Sequence, residues 1–240
     1  MEYAGIYIHV PFCLQKCPYC NFYSIPATTE ALDAYTTAVC RNLRGYAENI
    51  RVDTIYLGGG TPSLLSPAQV EQILETAADC FLVTADAEIT LEANPASCTP
   101  AAWKSFRKIG INRLSVGVQS LNDAELKQLG RLHTAAQAVS TIKAAADAGF
   151  QNLSGDLMLA IPEQTTETLA QTLHQLTALP LTHISAYLLK IEPTTRFAAQ
   201  HIEARCPSDD DAAALYLQTV SALDRQAFCN MKSQTLQNPA

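Results

Sequence analysis

No long basic run occurs in this chain of 240 residues, where 16 lysines and arginines face 23 aspartates and glutamates for a formal net charge of −7. A nucleic-acid footprint or a polybasic membrane patch requires clustered cations, so neither is expected. No stretch of about 18 uninterrupted apolar residues marks a membrane span. A leader pattern is missing too. Met1-Glu2-Tyr3 runs directly into a strand-like segment, and the expected compartment is the cytoplasm. Repeats, low-complexity tracts and internal linkers are absent. Charged residues make up only 16% against 48% hydrophobic, enough for one sizeable core. One further shortage is the most informative. Cys13, Cys17 and Cys20 stand at C-x3-C-x2-C spacing just after the apolar run Ile6-Tyr7-Ile8-His9-Val10. A closed structural zinc site takes four protein ligands, one more than this loop offers. A cubane [4Fe–4S] cluster takes one cysteine per iron, so three would leave one iron open to a small molecule. Eight cysteines without a secretion signal argue for metal or redox chemistry rather than a disulfide framework. Cys40, Cys80, Cys98 and Cys206 lack ligand-like spacing and read as small, partly buried apolar residues.

Short β-rich runs alternate with longer helical patterns. Strands are expected at 5–10, 54–58, 88–92, 113–118, 152–159 and 183–189. Helices are expected at 32–43, 67–78, 101–108, 135–148, 165–177 and 212–223. Ser66 is placed to cap the second helix with Pro67 at its first position, and Gly149 to end the fourth. Six strands, each followed by a helix, predict an α/β fold of parallel βα units. Right-handed crossovers would curl it into a partial, TIM-like (β/α)6 barrel. Chemistry in such folds gathers where strands end.

Several polar residues fall at those ends. Gly58-Gly59-Gly60-Thr61-Pro62-Ser63 closes the second strand. Its glycines allow a close backbone approach to a ligand, or simply a tight turn. Glu92 closes the third strand, where a carboxylate suits bidentate binding of ribose hydroxyls. Glu88, toward the other end, is expected in a structural ion pair. Gln119 closes the fourth strand. Asp156 lies within the apolar fifth strand and needs a partner to offset burial, for which Arg131 is a candidate. Tyr19, between two cysteines, and Tyr7 could face a cofactor or pack in the core. His133 is a conceivable haem ligand or a hydrogen-bonded structural residue.

The segment Tyr7-Ile8-His9-Val10-Pro11-Phe12-Cys13, with Lys16-Cys17-Pro18-Tyr19-Cys20-Asn21-Phe22-Tyr23-Ser24, resembles the N-terminal signature of the radical S-adenosylmethionine (SAM) superfamily. More narrowly, it resembles the branch holding oxygen-independent coproporphyrinogen III oxidases and HemW-type haem chaperones. The resemblance implies a partial barrel, with a [4Fe–4S] cluster on Cys13, Cys17 and Cys20 and SAM on the open iron. It further implies SAM contacts from Tyr7, Tyr19, Gly59, Gly60, Thr61, Glu92, Gln119, Arg131 and Asp156. Implied partners are haem or a porphyrinogen, an electron donor such as a flavodoxin-like protein, and a haem-accepting protein. The oxidase branch usually carries another cysteine two places beyond the third, where this chain has Phe22. The chaperone branch usually carries Leu-Gly-Arg-x-His, which Leu129-Gly130-Arg131-Leu132-His133 matches. Both features favour the chaperone over an oxidase that decarboxylates coproporphyrinogen III. Two departures stand out. Asn21 replaces a commoner Asp, and Ala160 stands where a Gly-x-Pro-x-Gln-Thr loop usually has glycine, which puts that loop's backbone shape in question.

The resemblance also bears on the last residues. A radical SAM core is expected over 1–228, and residues 229–240 fit no recognisable element. Chaperone relatives commonly continue a similar lead-in with QYEISNFAKPG, and one permitted codon choice for 229–240 gives that string in a shifted frame. An out-of-frame tail replacing a C-terminal domain is therefore expected, and with it a third reading, an inactive fragment without the haem segment. Resequencing the locus tests this; a downstream frame without the missing domain would sink it.

Overall fold

The computed structural model describes residues 3–47, 49–95 and 97–229. The expected tail therefore lies outside the described residues, except for Cys229. The main sheet has six strands, which we number β1 (Tyr3–Val10), β2 (Arg51–Gly59), β3 (Leu82–Ala93), β4 (Arg113–Gln119), β5 (Asn152–Leu159) and β6 (His183–Leu188). They hydrogen-bond in chain order, with β1–β2, β2–β3 and β5–β6 parallel. The helices are α1 (Thr29–Gly45), α2 (Pro67–Cys80), α3 (Pro100–Lys108), α4 (Asp123–Gln128), α5 (Ala135–Asp147), α6 (Thr166–Thr177), α7 (Arg196–Ala199) and α8 (Asp209–Arg225). This is the parallel α/β architecture the sequence predicts.

Local signals account for most boundaries. Ser66 caps α2 in a reciprocal box with Gln69, and Pro67 opens the helix without losing a needed N–H. Thr28 caps α1, Thr165 caps α6 and Ser208 caps α8. The largest boundary difference is β3, which begins at Leu82 rather than 88. Its first residues are mostly exposed, so no burial alternation announces them. Two short helices were not expected. α4 is mostly polar, with only Ala124 and the buried Leu126 apolar, and is nucleated by the Asn122 side chain, which accepts from the Ala124 and Glu125 amides. α7 is four residues long, capped by Thr195.

The chain divides into two compact units. The first comprises Met1–Lys16, Phe22–Ser115 and Ala144–Asn152. In it β1, β2 and β3 present two faces, as period-two side chains require. Ile8, Val10, Ile55, Leu57 and Leu91 are buried on one. Tyr7, His9, Tyr56, Gly58, Thr90 and Glu92 alternate with them on the other. Trp103 and Phe106 of α3 are buried and pack at 6.0 Å. Glu88 is paired with Arg113 at 4.0 Å, the structural ion pair expected of it.

The second unit comprises Cys17–Asn21, Val116–Lys143 and Leu153–Ala240. Leu129, Met158, Ile161, Phe197 and Ile202 form its apolar cluster, against which Tyr19 and Tyr187 pack. A buried carboxylate, Glu125, is tied down by the Ser120 hydroxyl (2.5 Å), the Thr168 hydroxyl (2.6 Å) and the Gln164 amide (3.4 Å). These bonds offset its burial and fasten α4 to the loop that precedes α6.

Candidate functional site

The candidate residues fall in both units, and each set can be built from its own strands. In the first unit the β1 strand delivers Tyr7 and His9, then turns at Pro11 into Phe12 and Cys13. Phe12–Cys13 pairs with Ile25–Pro26, which folds the chain back after the cysteine segment. His9 donates from Nε2 to the Tyr23 carbonyl at 3.2 Å, and Tyr7 Oη lies 3.3 Å from its Nδ1. Tyr35 donates to the His9 carbonyl at 2.8 Å. His9 enters the sequence reading only as part of the lead-in signature, without a role, and Tyr35 not at all; its bond to β1 reveals it. Thr61 donates its hydroxyl to Cys13 Sγ at 3.7 Å.

Each residue of the glycine run has a close neighbour. A Cβ on Gly60 would lie 2.7 Å from the Phe12 carbonyl and 2.9 Å from that of Val10, to which the Gly60 amide donates at 2.8 Å. Gly59 has φ +114° and would drive a Cβ into the His9 ring at 2.6 Å. The run is thus a close-packed turn over the end of β1. Glu92, half-buried, receives a bond from Tyr56 Oη to Oε1 (2.7 Å) and one from the Gly59 amide to Oε2 (3.0 Å). Tyr7 stands 60% exposed. Burial of part of its phenol, and then the Glu92 charge, hold its pKa above the ordinary tyrosine value.

In the second unit the Leu129–His133 loop follows α4. Arg131 donates from Nη2 to the Gly117 carbonyl (2.8 Å), and from Nη1 to Tyr19 Oη (3.4 Å) and Cys17 Sγ (3.8 Å). Its Nε is buried with no partner. Tyr19 packs on the apolar cluster and lies 6.1 Å from Phe197. Burial raises its phenol pKa far above the ordinary range. His133 is buried and donates Nε2–H to the Val118 carbonyl at 3.1 Å. Burial first, and the nearby Arg131 charge second, lower its pKa to about 4. Its bond to Val118 accords with the plainer of its two readings, a hydrogen-bonded structural residue, while Nδ1 is buried with no partner. Gln119 ends β4 with φ +67°, and its Oε1 accepts from Tyr187 at 2.6 Å. Asp156 is half-buried in β5 and sits opposite Ser185 of β6.

None of the three loop cysteines is in a disulfide, and all are partly buried. Among the described residues no three His, Cys, Asp or Glu side chains gather closely enough for a single metal ion. A cluster with one thiolate per iron spreads its ligands wider than one ion does. Taken unit by unit, the donors suit thiolate ligands. A hydroxyl aims at Cys13 sulfur, a guanidinium at Cys17 sulfur, and Arg131 keeps an unused buried donor. Hydrogen bonds to ligand sulfurs are what a protein uses to tune a cluster.

The parallel sheet, with polar residues at its strand ends and three closely spaced thiols after β1, defines a class of cofactor-dependent α/β protein. The model of the radical SAM superfamily matches residues 7–176, and the chain belongs to that superfamily. Membership implies a [4Fe–4S] cluster and SAM. The chain is 39% identical over 200 residues to the haem chaperone HemW of Escherichia coli, covering 82% of this chain and 53% of that protein. It is 39% identical over 230 residues to the mouse mitochondrial radical S-adenosyl methionine domain-containing protein 1, covering 94% and 52%. Among solved structures it resembles the coproporphyrinogen III oxidase HemN of E. coli, a radical SAM enzyme. That match has a TM-score of 0.86 at 28% identity and covers 95% of this chain and 53% of the other. The chain thus spans about half the length of the curated relatives it matches. Among the described residues no helix is long and apolar enough to cross a membrane.

Proposed function

We propose that Cys13, Cys17 and Cys20 hold three irons of a [4Fe–4S] cluster with SAM on the fourth, and that the protein is a cytoplasmic haem chaperone. In this reading it binds haem and passes it to an acceptor protein, with a flavodoxin-like partner as electron donor. When bound, cluster and SAM together supply one-electron chemistry at a sulfonium. The chain's own residues do the holding. Thr61 and Arg131 donate to the sulfurs of Cys13 and Cys17, restraining those ligands and stabilising negative charge on them. Glu92 offers a fixed carboxylate to ribose hydroxyls. Gln119, its Oε1 held by Tyr187, is oriented to present its amide N–H2 as a donor. Gly59, Gly60, Tyr7, Tyr19 and Asp156 complete the proposed SAM contacts.

The observation that carries the chaperone reading is the 39% identity to a curated haem chaperone across 82% of the chain. Phe22, where an oxidase would carry another cysteine, supports it. The likeness to HemN keeps coproporphyrinogen III oxidation as the second reading. Anaerobic reconstitution of the chain tests both. Iron and sulfide are counted, haem is titrated spectroscopically, and coproporphyrinogen turnover is assayed. Haem binding without turnover is the expected result. Turnover would reverse the ranking. A cluster with neither property would leave the inactive-fragment reading. Zinc, or no metal, would sink the cluster itself.

A further inference from the structure

Tyr56 belongs to no motif, yet it makes the shortest bond to the Glu92 carboxylate. It lies on the polar face of β2, opposite Tyr7 of β1 and Thr90 of β3. Its hydroxyl donates to Glu92 Oε1 at 2.7 Å, while the Gly59 amide donates to Oε2 at 3.0 Å. Gly58 is the seat for this pair. A Cβ there would lie 2.7 Å from Tyr56 Cε1 and 3.1 Å from Glu92 Oε1. The Tyr7 ring stacks on the Tyr56 ring at 6.0 Å and 26°. The phenol is therefore held between a neighbouring ring and a backbone that has no side chain to displace it.

The chemistry follows from counting acceptors. An ionised carboxylate has about four lone-pair sites, two on each oxygen. The protein fills one on each, by donors from two different parts of β2. One acceptor remains on each oxygen, the two are adjacent, and rotation about the last side-chain bond is stopped. Two adjacent fixed acceptors match the two O–H donors of a vicinal diol. We propose that Tyr56 is a positioning residue that locks the Glu92 carboxylate to receive both hydroxyls of the SAM ribose. The inference rests on the reading of Glu92 as the ribose ligand and adds what fixes its orientation. A carboxylate held by the Gly59 amide alone would rotate and lose rotor entropy on binding, which preorganisation avoids.

The test uses S-adenosylhomocysteine, which needs no reductant, and its 2′-deoxy analogue. Each is titrated calorimetrically into the anaerobically reconstituted chain and its Y56F and E92Q variants. Y56F should bind S-adenosylhomocysteine roughly three- to tenfold more weakly, the range of one hydrogen bond. It should also compress the preference over the 2′-deoxy analogue by a similar factor, with iron content and melting temperature unchanged. A merely structural tyrosine would not move that preference. E92Q should lose at least roughly tenfold in affinity. If E92Q weakens binding and Y56F retains wild-type affinity and preference, the positioning role of Tyr56 is overturned alone. If E92Q binds as wild type, the ribose role of Glu92 falls and takes this inference with it.

Discussion

Glu92 and Arg131 are both charged groups held by protein partners, and they are held in opposite ways. Glu92 is half-buried, and its two partners are neutral donors of its own unit, a phenol and a peptide amide. It keeps spare acceptors, so it retains something to offer a ligand. Arg131 is half-buried as a residue but its guanidinium is enclosed: the two Nη atoms bond a carbonyl, a phenol and a thiol sulfur, and Nε is buried with no partner. Solvent shares the charge of the first and is excluded from most of the second. Removing a half-buried carboxylate therefore leaves neutral donors that water can reach. Removing a buried guanidinium strands the Gly117 carbonyl and the Tyr19 hydroxyl in a region with little water. In the proposed reading Glu92 is a binding group with a modest role in the fold, whereas Arg131 ties its unit together as well as facing a cysteine.

The contrast can be broken most decisively at Arg131. Arg131→Met should lower stability by about 3 kcal/mol in anaerobic urea denaturation, the scale of breaking a buried charged network. A loss of under about 0.5 kcal/mol would show that the guanidinium is not a pillar of the second unit. His133 comes next. Its folded pKa of about 4 lies below the ordinary 6.5, so the unfolded chain takes up a proton first as pH falls. The stability present above pH 6.5 is lost as pH drops toward 4 and is not lost further below it. The expected loss is about 3 kcal/mol. Urea midpoints between pH 7 and 4 should show this slope in the native chain and flatten in His133→Gln; equal slopes would remove the assignment. Glu92→Gln is expected to cost under about 1 kcal/mol in the same assay. A cost matching that of Arg131→Met would erase the comparison. Smallest is Ala160→Gly. Ala160 has φ +56°, a left-handed backbone that burdens any side chain, and glycine should gain about 0.5 kcal/mol after its own entropy cost. A lower melting temperature would refute that.

The last prediction shows how far the residues could be read unaided. The doubt attached to Ala160 in a loop that usually has glycine was well placed, because the backbone there is left-handed. All six strands and the six longer helices were legible, since alternation, Ser66-Pro67 and Gly149 mark them locally. The start of β3 was not, because its exposed first residues follow no burial period. In the site, Glu92 and Gln119 were legible as polar residues at strand ends. Tyr56 was not. Within one strand it reads as another alternating aromatic, and its partner is 36 residues away on the neighbouring strand. For the glycine run, ligand approach and tight turn were both open from sequence. His9, Phe12 and Tyr56 supply packing reasons for all three glycines, and these say nothing against a ligand on the same turn.

Gly130 has φ +65°, and any Cβ on it would meet Pro18 Cδ at 2.7 Å. Pro18 also accepts a bond from the Phe197 amide at 3.0 Å. The proline between two cysteines is thus cradled by the glycine of Leu129-Gly130-Arg131-Leu132-His133, so that two motifs far apart in the chain are one mechanical joint. Neither can be transplanted or diversified alone. A library that varies residue 130 without residue 18 should return mostly chains whose cysteine loop has lost its footing, and engineers grafting this motif into another scaffold would have to carry both halves.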